Sequence, residues 1–104
     1  MEVIITDFAK SQLKAIFIYY AAEVSETTAS KLIDKIINSI NELERLPSIG
    51  TKEPLLAELE SNHKYIIAGN YKIIFLRANE IIYITDIFDC RQNPNKIIKR
   101  NKKK

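Results

Sequence analysis

Two stretches of the chain repeat apolar residues at the spacing of an α-helix. In residues 8–22 these positions are Ala9, Leu13, Ile16 and Tyr20, and in the next stretch, to Arg45, they are Ala29, Ile33, Ile36, Ile40 and Leu43. Such spacing puts the apolar side chains on one helical face. Asp7 is expected to cap the first helix, and residues 24–28 supply candidate caps for the second. Pro47 ends the second helix because proline lacks an N–H. The pattern predicts a helical hairpin.

Four other stretches are rich in β-branched and aromatic residues. They are residues 2–6, 63–68, 71–77 and 81–88. Gly69-Asn70 and residues 78–80 separate the last three as turns, since glycine and asparagine favour tight hairpins. Residues 51–53 are expected to be a polar connector, and residues 54–60 a loop or a weak strand. The predicted fold class is α+β: an N-terminal strand, a two-helix hairpin, then an antiparallel sheet of three or more strands, in the order βααβββ.

Charge is distributed unevenly along the 104 residues, although the chain carries a net +3. Six basic residues and no acidic ones lie in residues 96–104, which leaves residues 1–95 with 10 basic and 13 acidic side chains. The length suits one domain. We therefore expect a single domain over residues 1–95 and a basic tail over 96–104. The tail is either a solvated terminus or an arm that contacts phosphates.

Several classes of function find no support in the composition. One histidine and one cysteine make a poor set of zinc ligands, and two glycines cannot form a phosphate-binding loop, so no metal and no cofactor are expected. No apolar run is long enough for a membrane span, and no signal peptide is recognisable. A cytoplasmic location is expected. The lone Cys90 is expected to be small and partly buried.

Basic side chains on the predicted sheet are the remaining candidates for function. These residues are Lys64, Lys72, Arg77 and Arg91. Strand alternation puts Lys64 on the face of Ile66, and Lys72 on the face of Ile74. Long basic side chains also lie along apolar surfaces at sheet edges without any catalytic role. Both interpretations remain open from the residues alone.

Four short motifs in order resemble the RelE/ParE superfamily of bacterial toxins, which includes the plasmid stabilisation proteins. The motifs are IFIYY at 16–20, LERLPSIG at 43–50, GNYKIIF at 69–75 and IFDCRQNP at 87–94. The resemblance implies a compact toxin of a type II toxin-antitoxin system, held inactive by a cognate antitoxin. RelE-like members are mRNA interferases that cut mRNA on the ribosome, whereas ParE-like members inhibit DNA gyrase. A shared fold does not choose between the two activities.

The resemblance also suggests individual site residues. Lys72 and Arg91 match basic positions that would stabilise a phosphate, and His63 and Tyr71 are the candidates for proton transfer. Further nucleic-acid contacts are expected from Lys64, Arg77, Lys99 and Arg100. Asp89 departs from the pattern, because an acidic group beside a phosphate would repel it. For Arg91 the alternative role is a salt bridge to Asp86 or Asp89.

The leading expectation is ribosome-dependent mRNA cleavage, with the ribosome and mRNA as partners of the basic residues. Gyrase inhibition without nuclease activity is the alternative, because no tyrosine or histidine follows Arg91. A third possibility is a decayed, non-toxic protein that still binds an antitoxin.

Overall fold

The computed structural model describes residues 1–54, 56, 62–92 and 97 of the chain. Its elements are β1 Glu2–Ile5, α1 Asp7–Glu23, α2 Glu26–Arg45, β2 Thr51–Lys52, β3 Lys64–Ala68, β4 Tyr71–Ala78 and β5 Ile81–Asp89. The predicted strand, helical hairpin and antiparallel strands are confirmed. Most of the predicted loop or weak strand at 54–60, and most of the basic tail, lie outside the described residues.

Side-chain caps fix where both helices begin. Thr6, rather than the predicted Asp7, caps α1: its Oγ accepts from the N–H of Ala9 at 3.2 Å. The same hydroxyl donates to the carbonyl of Ile84 at 2.8 Å, which ties the start of α1 to β5. Asp7 becomes the first helical residue, where its charge suits the positive end of the helix. Ser25 caps α2 by accepting from Thr28 N–H at 3.0 Å.

Five strands form one sheet in the order β1-β5-β4-β3-β2. Strands β2 to β5 are antiparallel to their neighbours, and β1 joins β5 in parallel. A parallel neighbour needs a crossover, and the helical hairpin supplies it. The helices therefore cover one face of the sheet, here called the helix side. Most members of the two predicted stripes contribute to its core: Leu13, Ile16 and Tyr20 pack against a buried cluster of helix and sheet residues that includes Ala9, Ile36, Ile40, Leu43, Ile73, Phe75, Ile82, Ile84 and Ile87.

A β-bulge in β5 changes which residues of that strand face the helices. Ile74 pairs with Asp86 and Phe75 pairs with Ile84, so Thr85 is the extra residue. Before the bulge Ile84 faces the helix side, and after it Ile87 does. The one-residue insertion therefore reverses the alternation and directs Asp89 toward α1 instead of away from it.

The opposite, outer face of the sheet has a smaller apolar cluster. It contains Leu56, Ile74, Phe88 and Ile97, with Tyr65 packed against it. Residues 51–53, predicted as a polar connector, instead form the edge strand β2 followed by a buried glutamate. The reason is backbone pairing: Thr51 and Lys52 pair with β3, and Glu53 N–H donates to the carbonyl of His63 at 2.8 Å.

Gly50 occupies a position at which a side chain would be obstructed. Its φ is +112°, and a Cβ there would lie 2.7 Å from Phe75 Cζ. Gly69 also has a positive φ, +61°, but its nearest neighbour would be Lys35 Nζ at 3.7 Å. Gly69→Ala is therefore a control with backbone strain and no steric clash.

We expect Gly50→Ala to lower the free energy of unfolding by about 2 to 3 kcal/mol, because strain and overpacking combine. Gly69→Ala should cost about 1 kcal/mol. Urea denaturation of both variants measures the difference. Equal losses would contradict the proposed contact between residue 50 and Phe75.

Candidate functional site

A cleft of about 440 Å³ opens between α1 and the end of β5. Its walls come from α1, β4, β5 and the turn that follows, and the lining residues are Gln12, Ala15, Ile16, Tyr19, Tyr71, Ile87, Asp89, Arg91 and Gln92. The lining combines apolar side chains with charged and amide groups. The cleft therefore offers both apolar surface and polar groups to a binding partner.

Arg91 is fixed at the end of the cleft by Asp89 and Tyr20. Its Nε donates to Asp89 Oδ1 at 3.0 Å, and its Nη2 donates to Asp89 Oδ2 at 2.8 Å. Nη2 also donates to the Tyr20 hydroxyl at 2.8 Å. The Arg91 side chain is nevertheless 56% exposed. The salt bridge foreseen as the alternative role of Arg91 is therefore present, and it holds the guanidinium in the cleft mouth.

A turn after β5 brings Arg91 to this position. Asp89 accepts the backbone N–H of Arg91 at 2.9 Å through its side chain, and the Gln92 N–H donates to the Asp89 carbonyl at 3.0 Å. Aspartate favours such turns because its carboxylate bonds to the backbone two residues on. Asp89, treated from sequence as a departure from the family pattern, thus organises both the turn and the arginine.

Two tyrosines and the Asp89–Arg91 pair influence one another electrostatically. Hydrogen bonding from Tyr71 and from Arg91 lowers the pKa of Tyr20, whereas burial and the hydrogen bond to Tyr20 raise the pKa of Tyr71 well above its usual range. Hydrogen bonds from Arg91 lower the pKa of Asp89. These pKa shifts are those expected if the Tyr71 hydroxyl donates a hydrogen bond to Tyr20 and if Arg91 stabilises negative charge on the groups beside it.

Lys72 lies on the outer face, away from the cleft. Its Nζ donates to Glu53 Oε2 at 3.0 Å and Oε1 at 3.3 Å, and lies 4.4 Å from the centre of the Tyr65 ring. The Glu53 side chain is completely buried, and that of Lys72 is 20% exposed. The ammonium is thus committed to a buried ion pair and an aromatic face.

The other predicted site residues are dispersed. His63 is buried just before β3. Lys64 pairs with Phe75 and so faces the helix side, and the exposed Arg77 lies 3.7 Å from Glu80. Lys99 and Arg100 lie outside the described residues. Of the four predicted catalytic residues, the structure brings together Tyr71 and Arg91, and it places His63 and Lys72 elsewhere. Their catalytic roles stay predictions.

Sequence reasoning missed Tyr20 and Glu53 as members of these clusters. Tyr20 was predicted in the apolar stripe of α1 and in the IFIYY motif but not in the site, although a tyrosine at the end of such a stripe has a hydroxyl that needs a partner. The burial of Glu53 could not be predicted, because the residue lies in a segment predicted to be a polar connector. Cys90, expected to be partly buried, is exposed because it follows the end of β5.

Within the described residues, no group of three His, Cys, Asp or Glu side chains could hold a metal ion. No helix there is long and apolar enough to cross a membrane.

A solved structure of known description has the same architecture as this chain. A solved structure described as the chromosomal ParDE TA system from P. aeruginosa superposes with a TM-score of 0.73 and 17% sequence identity, covering 86% of this chain and 95% of that one. At this identity the likeness shows a common fold. No curated protein matches the sequence significantly.

The family follows from the sequence match. Residues 3–94 match the family described as the ParE toxin of the type II toxin-antitoxin system parDE. The chain belongs to this family of type II toxins, which confirms the superfamily inferred from its motifs.

The Lys72–Glu53 pair leads to a prediction about stability. Lys72→Met should lower the free energy of unfolding by about 2 to 3 kcal/mol, because it leaves a buried carboxylate without its cation. Adding Glu53→Gln should recover at least half of that loss, since no uncompensated charge then remains. Lys64→Met, at a half-buried lysine on the neighbouring strand, is the control. Urea denaturation at neutral pH measures the free energy of unfolding of the three variants and the parent protein. An unchanged value for Lys72→Met would contradict a structural role for the pair.

The lowered pKa of Asp89 leads to a prediction about acid stability. A carboxyl whose folded-state pKa lies below its unfolded value of about 4 stabilises the protein above that pH and loses the effect as pH falls through the folded pKa. Asp89→Asn should thus lower the urea midpoint at neutral pH. The difference between the midpoints of the variant and the parent protein should become smaller below about pH 4. Asp34→Asn, at an exposed position of α2, controls for losing a carboxylate. A difference that stays constant down to about pH 2 would contradict this role of Asp89.

Proposed function

We propose that the protein is the toxin of a type II toxin-antitoxin pair, neutralised by a cognate antitoxin, and that it acts by inhibiting DNA gyrase rather than by cutting mRNA. Membership of the ParE toxin family supports the first part. The observation that carries the second part is the separation of the residues that a nuclease would need.

Metal-free RNA cleavage requires a base, an acid and cations around a single phosphate. Lys72 is held by the buried Glu53 on the outer face of the sheet, whereas Arg91 lies at the cleft on the helix side. Adjacent residues of a strand point to opposite faces, so Tyr71 and Lys72 cannot line the same cleft. His63 is buried. This arrangement favours a toxin that binds its target through a surface.

One observation favours the second candidate, ribosome-dependent mRNA cleavage. The Tyr20 hydroxyl, with a lowered pKa, lies 2.8 Å from Arg91 Nη2. A tyrosine and an arginine side by side could transfer a proton and stabilise a phosphate. If the protein is a nuclease, Tyr20 rather than His63 is then the residue to examine.

Two assays with the purified protein separate these functions. We expect it to inhibit supercoiling of relaxed plasmid by DNA gyrase, and to leave mRNA intact in a cell-free translation reaction analysed by primer extension. Cuts that require both protein and ribosomes would instead establish the nuclease. A folded protein inactive in both assays, and harmless when expressed alone in bacteria, would establish the decayed antitoxin-binding protein.

Arg91→Gln tests whether the cleft takes part in toxicity. The variant should lose at least about tenfold in inhibitory potency, since arginine is enriched among the few interface residues that contribute most of the binding energy. Its thermal midpoint should fall no further than that of Asp89→Asn, since both changes remove the same Asp89–Arg91 ion pair. Arg45→Gln, at an exposed arginine paired with Glu42, is the matched control. A fully potent Arg91→Gln would remove the cleft from the toxic surface.

A further inference from the structure

Arg91 has hydrogen-bond donors that the described residues do not use. Of the five N–H donors of a guanidinium, its Nε–H and the two on Nη2 bond to Asp89 and Tyr20. Within the described part of the chain, the two Nη1 donors have no partner. The group is held in one orientation and is still 56% exposed. A fixed donor of this kind loses little conformational entropy when it binds.

The cleft beside Arg91 has room for an apolar side chain. Ala15 and Ile16 of α1 face Ile87 of β5 across a volume of about 440 Å³. Tyr19 lies at the rim and is 58% exposed, with its ring edge-on to that of Tyr20 at 5.2 Å between centroids. An exposed aromatic ring beside an apolar hollow is typical of a protein interface.

We propose that this cleft receives a segment of a partner protein in which an aspartate or glutamate lies beside an aliphatic or aromatic side chain. The carboxylate accepts hydrogen bonds from Arg91 Nη1, and the apolar side chain fills the space between α1 and β5. The inference rests on the proposed function in one respect, namely that a partner protein meets this face. It adds the chemistry by which that partner is recognised.

The charges favour a carboxylate over the phosphate of a nucleic acid. Asp89 already offsets the charge of Arg91, and no lysine or second arginine is among the lining residues. Nucleic-acid sites concentrate several cations, because each neutralised phosphate contributes to affinity. A single guanidinium without further cations instead suits one carboxylate, which it recognises by planar, charge-assisted hydrogen bonds.

Tyr20 is a positioning residue in this arrangement. It is not among the lining residues, and its hydroxyl accepts from Nη2, whereas the free donors are on Nη1. Together with the two bonds from Asp89, this contact fixes the plane of the guanidinium. Removing the hydroxyl should therefore weaken carboxylate binding and leave the apolar contacts unchanged.

Small probes test the cleft without any macromolecular partner. We would titrate protein labelled with ¹³C in its alanine and isoleucine methyl groups with 4-phenylbutyrate, with the uncharged 4-phenylbutyramide and with phenyl phosphate. The carboxylate should shift the methyl signals of Ala15, Ile16 and Ile87 and saturate at millimolar concentration. The amide and the phosphate should each bind at least about fivefold more weakly.

Each alternative result overturns part of the proposal. Absence of methyl shifts would exclude the cleft as a binding site, and equal affinity for acid and amide would exclude recognition of the charge. Tighter binding of phenyl phosphate would indicate a nucleic-acid phosphate as the natural ligand. Because no gyrase, ribosome or antitoxin is present, these results are independent of the activity assays.

Variants assign the roles of the two side chains. Arg91→Gln should abolish the preference for acid over amide, whereas Arg45→Gln should preserve it. Tyr20→Phe should weaken the binding of 4-phenylbutyrate about threefold and leave the binding of the amide unchanged. Tyr83→Phe, at a half-buried tyrosine of β5 outside the cleft, should change the affinity for neither compound. Methyl spectra without probe report whether each variant is folded. Equal weakening of acid and amide by Tyr20→Phe would make the tyrosine a part of the wall and not a positioning residue.

Discussion

The bulge at Thr85 determines the chemistry available at the end of β5. In regular alternation, the residues that face the helices after Ile82 and Ile84 would be Asp86 and Phe88. The extra residue reverses this order, so Ile87 completes the helix-side core and Asp89 follows it into the cleft. Phe88 instead packs in the outer cluster. The arrangement of Arg91 with Asp89 and Tyr20 depends on this reversal, because it requires Asp89 on the side of α1.

The same reversal divides the basic residues of the protein into two environments. Lys72 is the partner of a fully buried carboxylate, and together with β2 it holds the segment after Gly50 onto the outer face. Arg91 is paired as well, but in an exposed position where it can still bind another molecule. Positive charge by itself therefore says little about function in this fold. What distinguishes the two residues is the solvent exposure of the pair and the number of donors that remain.

Much of the fold could be predicted because it is encoded locally. Helical stripes such as Ile36 and Ile40, and the turn at Gly69, depend on spacing and on backbone preference, which are visible in a few neighbouring residues. The parallel pairing of β1 with β5 depends on a contact across most of the chain. The bulge is equally invisible, since in regular alternation each face of IIYITDIF has three apolar residues and one polar residue, so the pattern favours neither face. The sequence could identify Arg91 and Tyr71 as candidates, yet the joining residue, Tyr20, comes from a helix distant in the chain.

The identity of residue 91 fits the geometry of the cleft better than the composition of the chain. The protein uses lysine at 12 of its 16 basic positions and arginine at only 4. A lysine at 91 could neutralise Asp89, but its ammonium has no planar fork with which to bond both carboxylate oxygens through separate nitrogens and also reach Tyr20. At position 72 the requirement is different, since a point charge satisfies Glu53 and lies over the Tyr65 ring. The two sites thus need different cations for physical reasons: the outer ion pair needs a charge, and the cleft needs a charge with a fixed direction.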